Sequence, residues 1–461
     1  MKHSSFAGLI GVAREDITPP VGIFCRNWGA AKHDAATGIH RPLALTALTL
    51  QESAPSKPLV LIDTDLGWFA DLRFARRFLG HLRDSLGLSP ERLIFGMSHT
   101  HSAPPLLVEA EPEWEGRELL APYTEQVHDA AVRAVKNALA QAQPATLEWH
   151  TGHCTLASNR DLPEGKRIIV GYNPAKPADD TLLVGRISRP DGSILATLAN
   201  YACHPTTLAW ENALISPDYV GAMRETVERH TENAPALFLQ GASGELAPRH
   251  QYVGDPAVAD RHGRHLGFAV LATLADMNPP GHALVYAGVV ESGAPLAVWQ
   301  HTPCVSSREL RAVVWPVELP LKPWPKAEEL AQQFRDCQDR AMAERIRRKL
   351  RIRRSLGDGP SFPLELVAWQ IGDAVLCGTM AEPYSAMQQR LRKTFPERSV
   401  VWMNLVNGSL GYLPPADLYD QDQYVVWQTP IERGGLEQLT ASAEQLMAGW
   451  LGAQKQTSLS G

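Results

Sequence analysis

The chain has 461 residues, 44% hydrophobic and 20% charged, which is globular composition with enough length for a large buried core. Its formal net charge of −6 gives no basic excess for nucleic acid or anionic lipid. No segment reaches the roughly 18–20 apolar residues needed to span a bilayer. The apolar patch at residues 6–13 is broken by glycines and followed at once by Arg14, Glu15 and Asp16, unlike a secretory signal. The expectation is a soluble, cytoplasmic protein without stable membrane insertion and without a nucleic-acid partner.

Taken in chain order, residues 59–63 (LVLID) form a buried strand, and residues 69–87 carry the apolar spacing of an amphipathic helix. Residues 92–97 (RLIFGM) read as another strand. Residues 122–142 read as a long helix with a proline in its first turn. Residues 182–187 and 194–202 pair as a hairpin around Pro190-Asp191-Gly192. A helix follows at 218–230 and a short buried strand at 237–240. Residues 283–320 turn strand-rich, and residues 326–356 read as one helix ending in the basic run RIRRKLRIRR, a pattern usual for a solvated face. Residues 367–379 return to strand. This alternation predicts an α/β fold with mixed sheets and flanking helices. With no internal repeat and no sharp boundary, a single domain is expected over residues 1–453, with a polar tail at 454–461. The six cysteines form no CxxC pair and read as reduced thiols.

Four places could carry chemistry. GMSHTHSAPP (96–105) sets His99 and His101 two apart at a strand end, where extended backbone would turn both to one side. Neutral imidazole is a common zinc ligand, yet two histidines alone close no site. NYACHPTTL (200–208) puts His204 where a second strand stops, at the edge where α/β folds place ligands. LFLQGASGELAPR (237–249) runs a strand into a glycine-rich loop. LCGTMAEPYSAM (376–387) sets Glu382 before a helical pattern, and residues 407–428 hold Tyr412 and Tyr424 in a turn-rich segment. Asp63 and Asp65 in DTDLGW fit a turn cap better than a hard-cation site.

In combination these segments resemble the catalytic domain of the neutral ceramidases, also called neutral/alkaline non-lysosomal ceramidases. The resemblance runs in order through GVAREDITPPVG (11–22), SHTHSAP, SNRDL (158–162), NYACHPT, ISPDYVG (215–221), GASGELAPR, TMAEPY and GSLGYLPP, with Tyr424 beyond. It implies one zinc held by His99, His204, Glu382 and either Tyr412 or Tyr424, with Tyr412 assigned to the metal. It implies that His101 stands near the substrate carbonyl, either supporting the metal ligands from behind or acting as a catalytic group. Arg160 and a second tyrosine, Tyr424, would steady the oxyanion. The chain departs from the family in two places. Where the family carries a catalytic serine in the glycine-rich loop, this sequence has Ala247, and Val425 follows Tyr424 where glutamate is common. The chain also leaves little room for the family's C-terminal immunoglobulin-like domain. The expected function is therefore a zinc-dependent hydrolase that cleaves an amide or related acyl bond of a small, soluble substrate with metal-activated water. Zinc-dependent lyase or isomerase chemistry on a sugar, polyol or keto acid is the alternative. A binding protein with a relic site is a third reading. The sequence leaves oligomeric state open.

Overall fold

The computed structural model describes residues 4–107 and 114–457, backbone only from 451 onwards. Along the chain, the apolar patch near the start is strand β1 (Ser5–Asp16), followed by β2 (Ala44–Gln51), β3 (Leu59–Thr64), helix α1 (Leu72–Leu86), β4 (Leu93–Met97), α2 (Leu120–Ala140), β5 (Gln143–His153) and β6 (Ala157–Asn159). Next come β7 (Thr181–Ser188), β8 (Ile194–Tyr201), α3 (Tyr219–Arg229), β9 (Ala236–Gln240), β10 (Leu246–Pro248), α4 (Pro256–Asp276), β11 (His282–Glu291), β12 (Pro295–Pro303) and β13 (Leu310–Pro320). The last stretch holds α5 (Ala327–Asp336), α6 (Arg340–Leu356), β14 (Ser361–Ile371), β15 (Ala374–Thr379), β16 (Ala381–Pro383), α7 (Ala386–Thr394), β17 (Val400–Met403), β18 (Gly411–Leu413), α8 (Tyr424–Gln428) and α9 (Gly435–Thr457).

An eight-stranded sheet, ordered β9-β8-β7-β5-β1-β2-β3-β4, stacks on a four-stranded sheet, β13-β14-β15-β17. Both are mixed: β3–β4, β8–β9 and β15–β17 run parallel and the other pairs antiparallel. Strand periodicity of two explains the layers. In β3, Val60 and Ile62 join the core under α1 and α2, while Leu59 and Leu61 face Trp369, Leu376 and Val401 of the smaller sheet. At the other end of the large sheet, Ala199, Tyr201 and Phe238 pack against α3 and α4. The outer face of the small sheet, Leu364, Leu366 and Trp402 among it, is covered by α7 and α9. The expected α/β class is therefore a four-layer sandwich, helix–sheet–sheet–helix, with sheet faces buried on both sides.

The predicted hairpin at Pro190-Asp191-Gly192 is the antiparallel β7–β8 pair. Helix α1 begins where Asp71 accepts from the N–H groups of Arg73 and Phe74 and ends at Gly87 in the left-handed region, φ 65°. Two elements differ from expectation. The helix expected over 326–356 is two, because Asp339 turns its carboxylate onto the Met342 N–H (2.7 Å) and starts α6 afresh. The strand expected over 367–379 folds back at Gly372, φ 60°, into the hairpin β14–β15. Asp63 and Asp65 neither cap an open turn nor await a cation. Both Asp65 oxygens accept from Arg224 of α3 at 2.6 Å, and Asp63 accepts from Arg224 and the Phe238 N–H at 2.9 Å. That cluster ties β3 to β9 across the ends of the large sheet. The β11–β12 hairpin stands off the sandwich with Tyr286, Val289 and Trp299 exposed. Among the described residues no helix is long and apolar enough to cross a membrane. All six cysteines are free.

Candidate metal centre

Strands β4, β8, β9 and β15 all end at the same edge of the sandwich, and there the chain places its chemistry-bearing side chains. Ligand crevices in α/β folds lie outside strand carboxyl ends for the same topological reason. His99 follows β4 by two residues, His204 follows β8 by three, and Glu382 lies in β16, just beyond β15. Their ligand-capable atoms lie within 4.8 Å of one another, all three residues are buried, and no other such trio occurs among the described residues.

His99 does not sit in extended backbone. Its φ is 71°, a left-handed conformation costly for a non-glycine residue. The pleat argument for His99 and His101 is thereby corrected. A turn, not alternation, brings both rings to one cleft, 4.8 Å apart. The turn is fixed by backbone bonds from Ser98 to Thr64 and from His99 to Leu66. Gly67 allows it, since a Cβ there would stand 2.8 Å from the Thr100 carbonyl. In return the Gly67 carbonyl lies 3.0 Å from His99 Nδ1. A carbonyl only accepts, so Nδ1 carries the proton and Nε2 presents its lone pair.

The glycine-rich loop performs the same service for His204. His204 Nδ1 lies 2.7 Å from the Ser243 carbonyl, again leaving Nε2 as the lone-pair nitrogen. The loop also seats Glu382. The Gly244 N–H donates to the Pro383 carbonyl (3.0 Å), and a Cβ at Gly244 would come within 2.8 Å of the Glu382 carbonyl. Glu382 Oε2 then lies 3.0 Å from His204 Nε2 and 3.3 Å from His99 Nε2. Burial pushes His204 down to about 3, reinforced by the Arg160 charge, so its ring is neutral. Burial opposes ionisation of Glu382, and it takes positive charge at this point, carried by protonated His99 and His204 or by a bound cation, to outweigh it and hold the carboxyl well below its usual range. With both ring protons on Nδ1, two imidazole lone pairs and a carboxylate face one point with no proton between them. His99 Nε2 has no hydrogen-bond partner. Acceptors so arranged repel one another unless a cation lies between them. Ligands sharing a tetrahedral zinc stand roughly 3.3 Å apart, so the donors present fit a divalent metal.

Tyr412 is the register partner of Glu382 in the parallel β16–β18 pair, which sends both side chains to the same face. Its hydroxyl accepts from Arg160 Nη2 at 3.2 Å. Burial, then the Glu382 charge, raises its phenol well above the usual value. Arg160 is buried, its Nη2 also donates to the Gly244 carbonyl (2.8 Å), and it lies 3.3 Å from His204 Nε2. The ring of Tyr424, the first residue of α8, is 5.7 Å from that of Tyr412. His101 is wedged between Trp28 and Trp68, each 5.0 Å away, and neither ring nitrogen has a protein partner. Burial lowers its pKa well below the ordinary value. The seven residues singled out from the sequence thus gather at one edge.

Three residues of the glycine-rich loop keep their side chains out of the centre. Ser243 is buried and accepts from Gln240 Nε2 (2.7 Å). Glu245 caps the Ser385 N–H at 3.0 Å, and burial raises it to about 7. Ala247 is buried opposite Ser158 in the β10–β6 pair. The basic run of α6, expected to face solvent, instead roofs the site. Arg347, Arg348 and Arg351 line the same cleft as His99 and Glu382, with Trp68 and Trp114 beneath them. Spacing of i, i+3, i+4 and i+7 from Glu344 was the available signal, but nothing local tells a roof from a solvated face.

Residues 9–252, more than half of the chain, match the sequence profile of the neutral/alkaline non-lysosomal ceramidase N-terminal domain. The neutral ceramidase of Pseudomonas aeruginosa is 25% identical over 257 residues, covering 52% of this chain and 36% of that protein's length, so the match spans about a third of the relative. The crystal structure of neutral ceramidase from the same organism superposes with a TM-score of 0.64 at 19% identity, covering 97% of this chain and 74% of that one. A ceramidase structure in complex with C2 gives the same TM-score at 17% identity, covering 96% and 74%. At those identities the superpositions establish the fold.

Proposed function

The chain belongs to the neutral/alkaline non-lysosomal ceramidase family, and from that premise we propose that it is a zinc-dependent hydrolase cleaving an amide or related acyl bond of a small, soluble substrate. His99, His204 and Glu382 would hold the metal, with the Tyr412 hydroxyl as the fourth group. The observation that carries this reading is the convergence of two proton-free Nε2 atoms and an ionised carboxylate on one buried point. Both Nδ1–H groups are anchored on carbonyls, the outer-shell support that metal-bound histidines ordinarily have. A divalent cation bound there supplies Lewis acidity, lowering the pKa of water towards roughly 7 and polarising a carbonyl.

The remaining roles fall to the chain. Arg160, held by the Gly244 carbonyl, would donate an N–H where a carbonyl oxygen gains negative charge. Gln428 Nε2 donates to the Tyr424 hydroxyl (3.1 Å), which leaves the phenol proton to be given to the same oxygen. His101, neutral and unpartnered, takes a proton from the attacking water and returns it to the departing nitrogen. Water oxygen bonds to the carbonyl carbon, the C–N bond breaks, and carboxylate and amine leave. Ala247 offers no hydroxyl, so this route forms no acyl-enzyme at that position. Metal content of the purified protein and of His204→Ala is the test. About one zinc per chain in the former and none in the latter is expected. Chelation should abolish amide hydrolysis and zinc should restore it. Hydrolysis that survives complete metal loss overturns the reading.

A further inference from the structure

We propose that the β11–β12 hairpin is a dimerisation arm, the surface through which the protein pairs with a second copy of itself, whichever bond its centre cleaves. The hairpin is a two-stranded sheet of its own, held in nine registered pairs from His282–Pro303 to Glu291–Pro295. At about 3.4 Å per residue it is roughly 30 Å long. Its base is fixed. The Cys304 N–H donates to the Gly281 carbonyl (2.8 Å), and the Ala7 N–H donates to the Ser307 carbonyl (2.8 Å) where the chain rejoins β1. An isolated hairpin is at best marginally stable in water. Sixteen large apolar side chains stand exposed among the described residues, and seven of them lie on this arm. Alternation sorts them onto two faces. Leu284, Tyr286, Val289 and Trp299 share one, and Val285, Val290 and Leu296 share the other, with the change of phase in β11 falling at the bulge between Tyr286 and Gly288. On the first face the Tyr286 and Trp299 rings meet edge to face, 5.7 Å apart.

A sheet with one side in water ordinarily turns polar residues to that side, and an open strand edge is ordinarily guarded by charge, lysine above all. Residues 282–303 contain no lysine or arginine, and Glu291 near the tip is their only acid. That lack of charge selects the partner. Copies with a net charge of −6 repel one another at long range, and a twofold axis sets each charge beside it against its like. A neutral apolar arm is a surface on which two such copies can meet. The area agrees. The seven side chains are each about half open and together expose roughly 600 Å², the upper end of the roughly 300–600 Å² found for the largest apolar patch on a monomer. With each arm lying between the partner's arm and the partner's body, two copies would remove about 1,200 Å² of it from water, the lower bound for a stable interface. A lipid surface fits the arm less well. The open N–H and C=O groups along its two edges would lose water there and gain no partner.

The test is sedimentation equilibrium of the full-length protein at micromolar concentration, where the mass should be twice the 50.6 kDa of one chain. Two double variants probe the faces: Tyr286→Lys with Trp299→Lys on one, and Val285→Lys with Leu296→Lys on the other. All four side chains are exposed, so circular dichroism and metal content should match the wild type. Each double variant should dissociate, with a Kd weakened about 30-fold or more. Trp299→Phe keeps the face apolar and should stay dimeric. Added salt screens the like net charges and should leave the dimer as tight or tighter. A wild type that remains at the mass of one chain up to its solubility limit overturns the proposal. A dimer that survives both double variants does the same, by putting the interface elsewhere. A monomer that binds phosphatidylcholine vesicles, and loses them in the Tyr286→Lys, Trp299→Lys variant, would make the arm a lipid anchor and overturns it equally.

Discussion

Arg224→Met tests the cluster that ties β3 to β9. Arg224 is 4% exposed and serves Asp63 and Asp65, each 1% exposed. Methionine keeps much of the stem but leaves two carboxylates in a closed core. Each must stay charged without its partner, which costs several kcal/mol, or take up a proton. Holding one aspartic acid protonated at pH 7, about 3 units above its ordinary value, costs about 4 kcal/mol. The N–H groups of Phe238 and Ala44, both 2.9 Å from these carboxylates, favour the ionised form. They moderate the loss without removing it. We expect a deficit of about 4 kcal/mol at pH 7, a large part of a typical domain stability of roughly 5–15 kcal/mol. The sign with pH follows from linkage. Burial already raises Asp63 in the wild type, and without Arg224 the folded-state pKa rises further above the unfolded value. That contribution is favourable below the unfolded pKa and lost as pH rises through the folded one. The deficit should therefore shrink by about 1.4 kcal/mol per pH unit between pH 7 and pH 5 for each carboxyl that protonates. Urea unfolding followed by circular dichroism at both pH values reads it out. A deficit below about 1 kcal/mol at pH 7, or one equal at both, refutes the account.

Other expectations follow from named contacts. His101→Gln should lower kcat/KM about 100-fold or more while metal content stays at the wild-type level; loss of metal with the activity would make His101 a ligand instead. Asp71→Ala removes the acceptor for the Arg73 and Phe74 N–H groups and should cost about 1 kcal/mol in urea unfolding with kcat/KM retained; a neutral substitution would remove the cap's importance. Burial raises Asp218 to about 6, from 3.8. Its favourable share is thus full below about pH 4 and lost as pH climbs through about 6, so the stability of the wild type relative to Asp218→Asn should decline over that window by up to roughly 3 kcal/mol. A difference that is flat in pH would contradict the assignment.

Local signals located most elements because they act locally. Asp71 and Gly87 bracket α1, and Pro190-Asp191-Gly192 turns β7 into β8 whatever surrounds them. The break at Asp339 and the reversal at Gly372 were missed because each is a short signal within a longer run of one character. The candidate site shows the same divide. His99, His204, Glu382, Arg160 and the tyrosines were legible as ordered motifs, but their meeting depends on the loop at residues 241–246 bridging strands of two sheets. The position of α6 was illegible for the same reason. Its partners Trp68 and Trp114 lie more than 200 residues upstream and Trp427 lies far downstream, and only folding brings them beneath its arginines.

The order of synthesis gives the parallel β16–β18 pair a further meaning. Ribosomes deliver His99 and His204 on strands of the large sheet long before Glu382 and Tyr412 exist. A chain halted between His204 and β16 holds two imidazoles and no Glu382 carboxylate, and one halted short of β18 lacks the strand that keeps Glu382 in register. Whatever chemistry the centre performs is withheld until β18 has been made. Truncated products released early would be inert bystanders rather than unregulated enzymes.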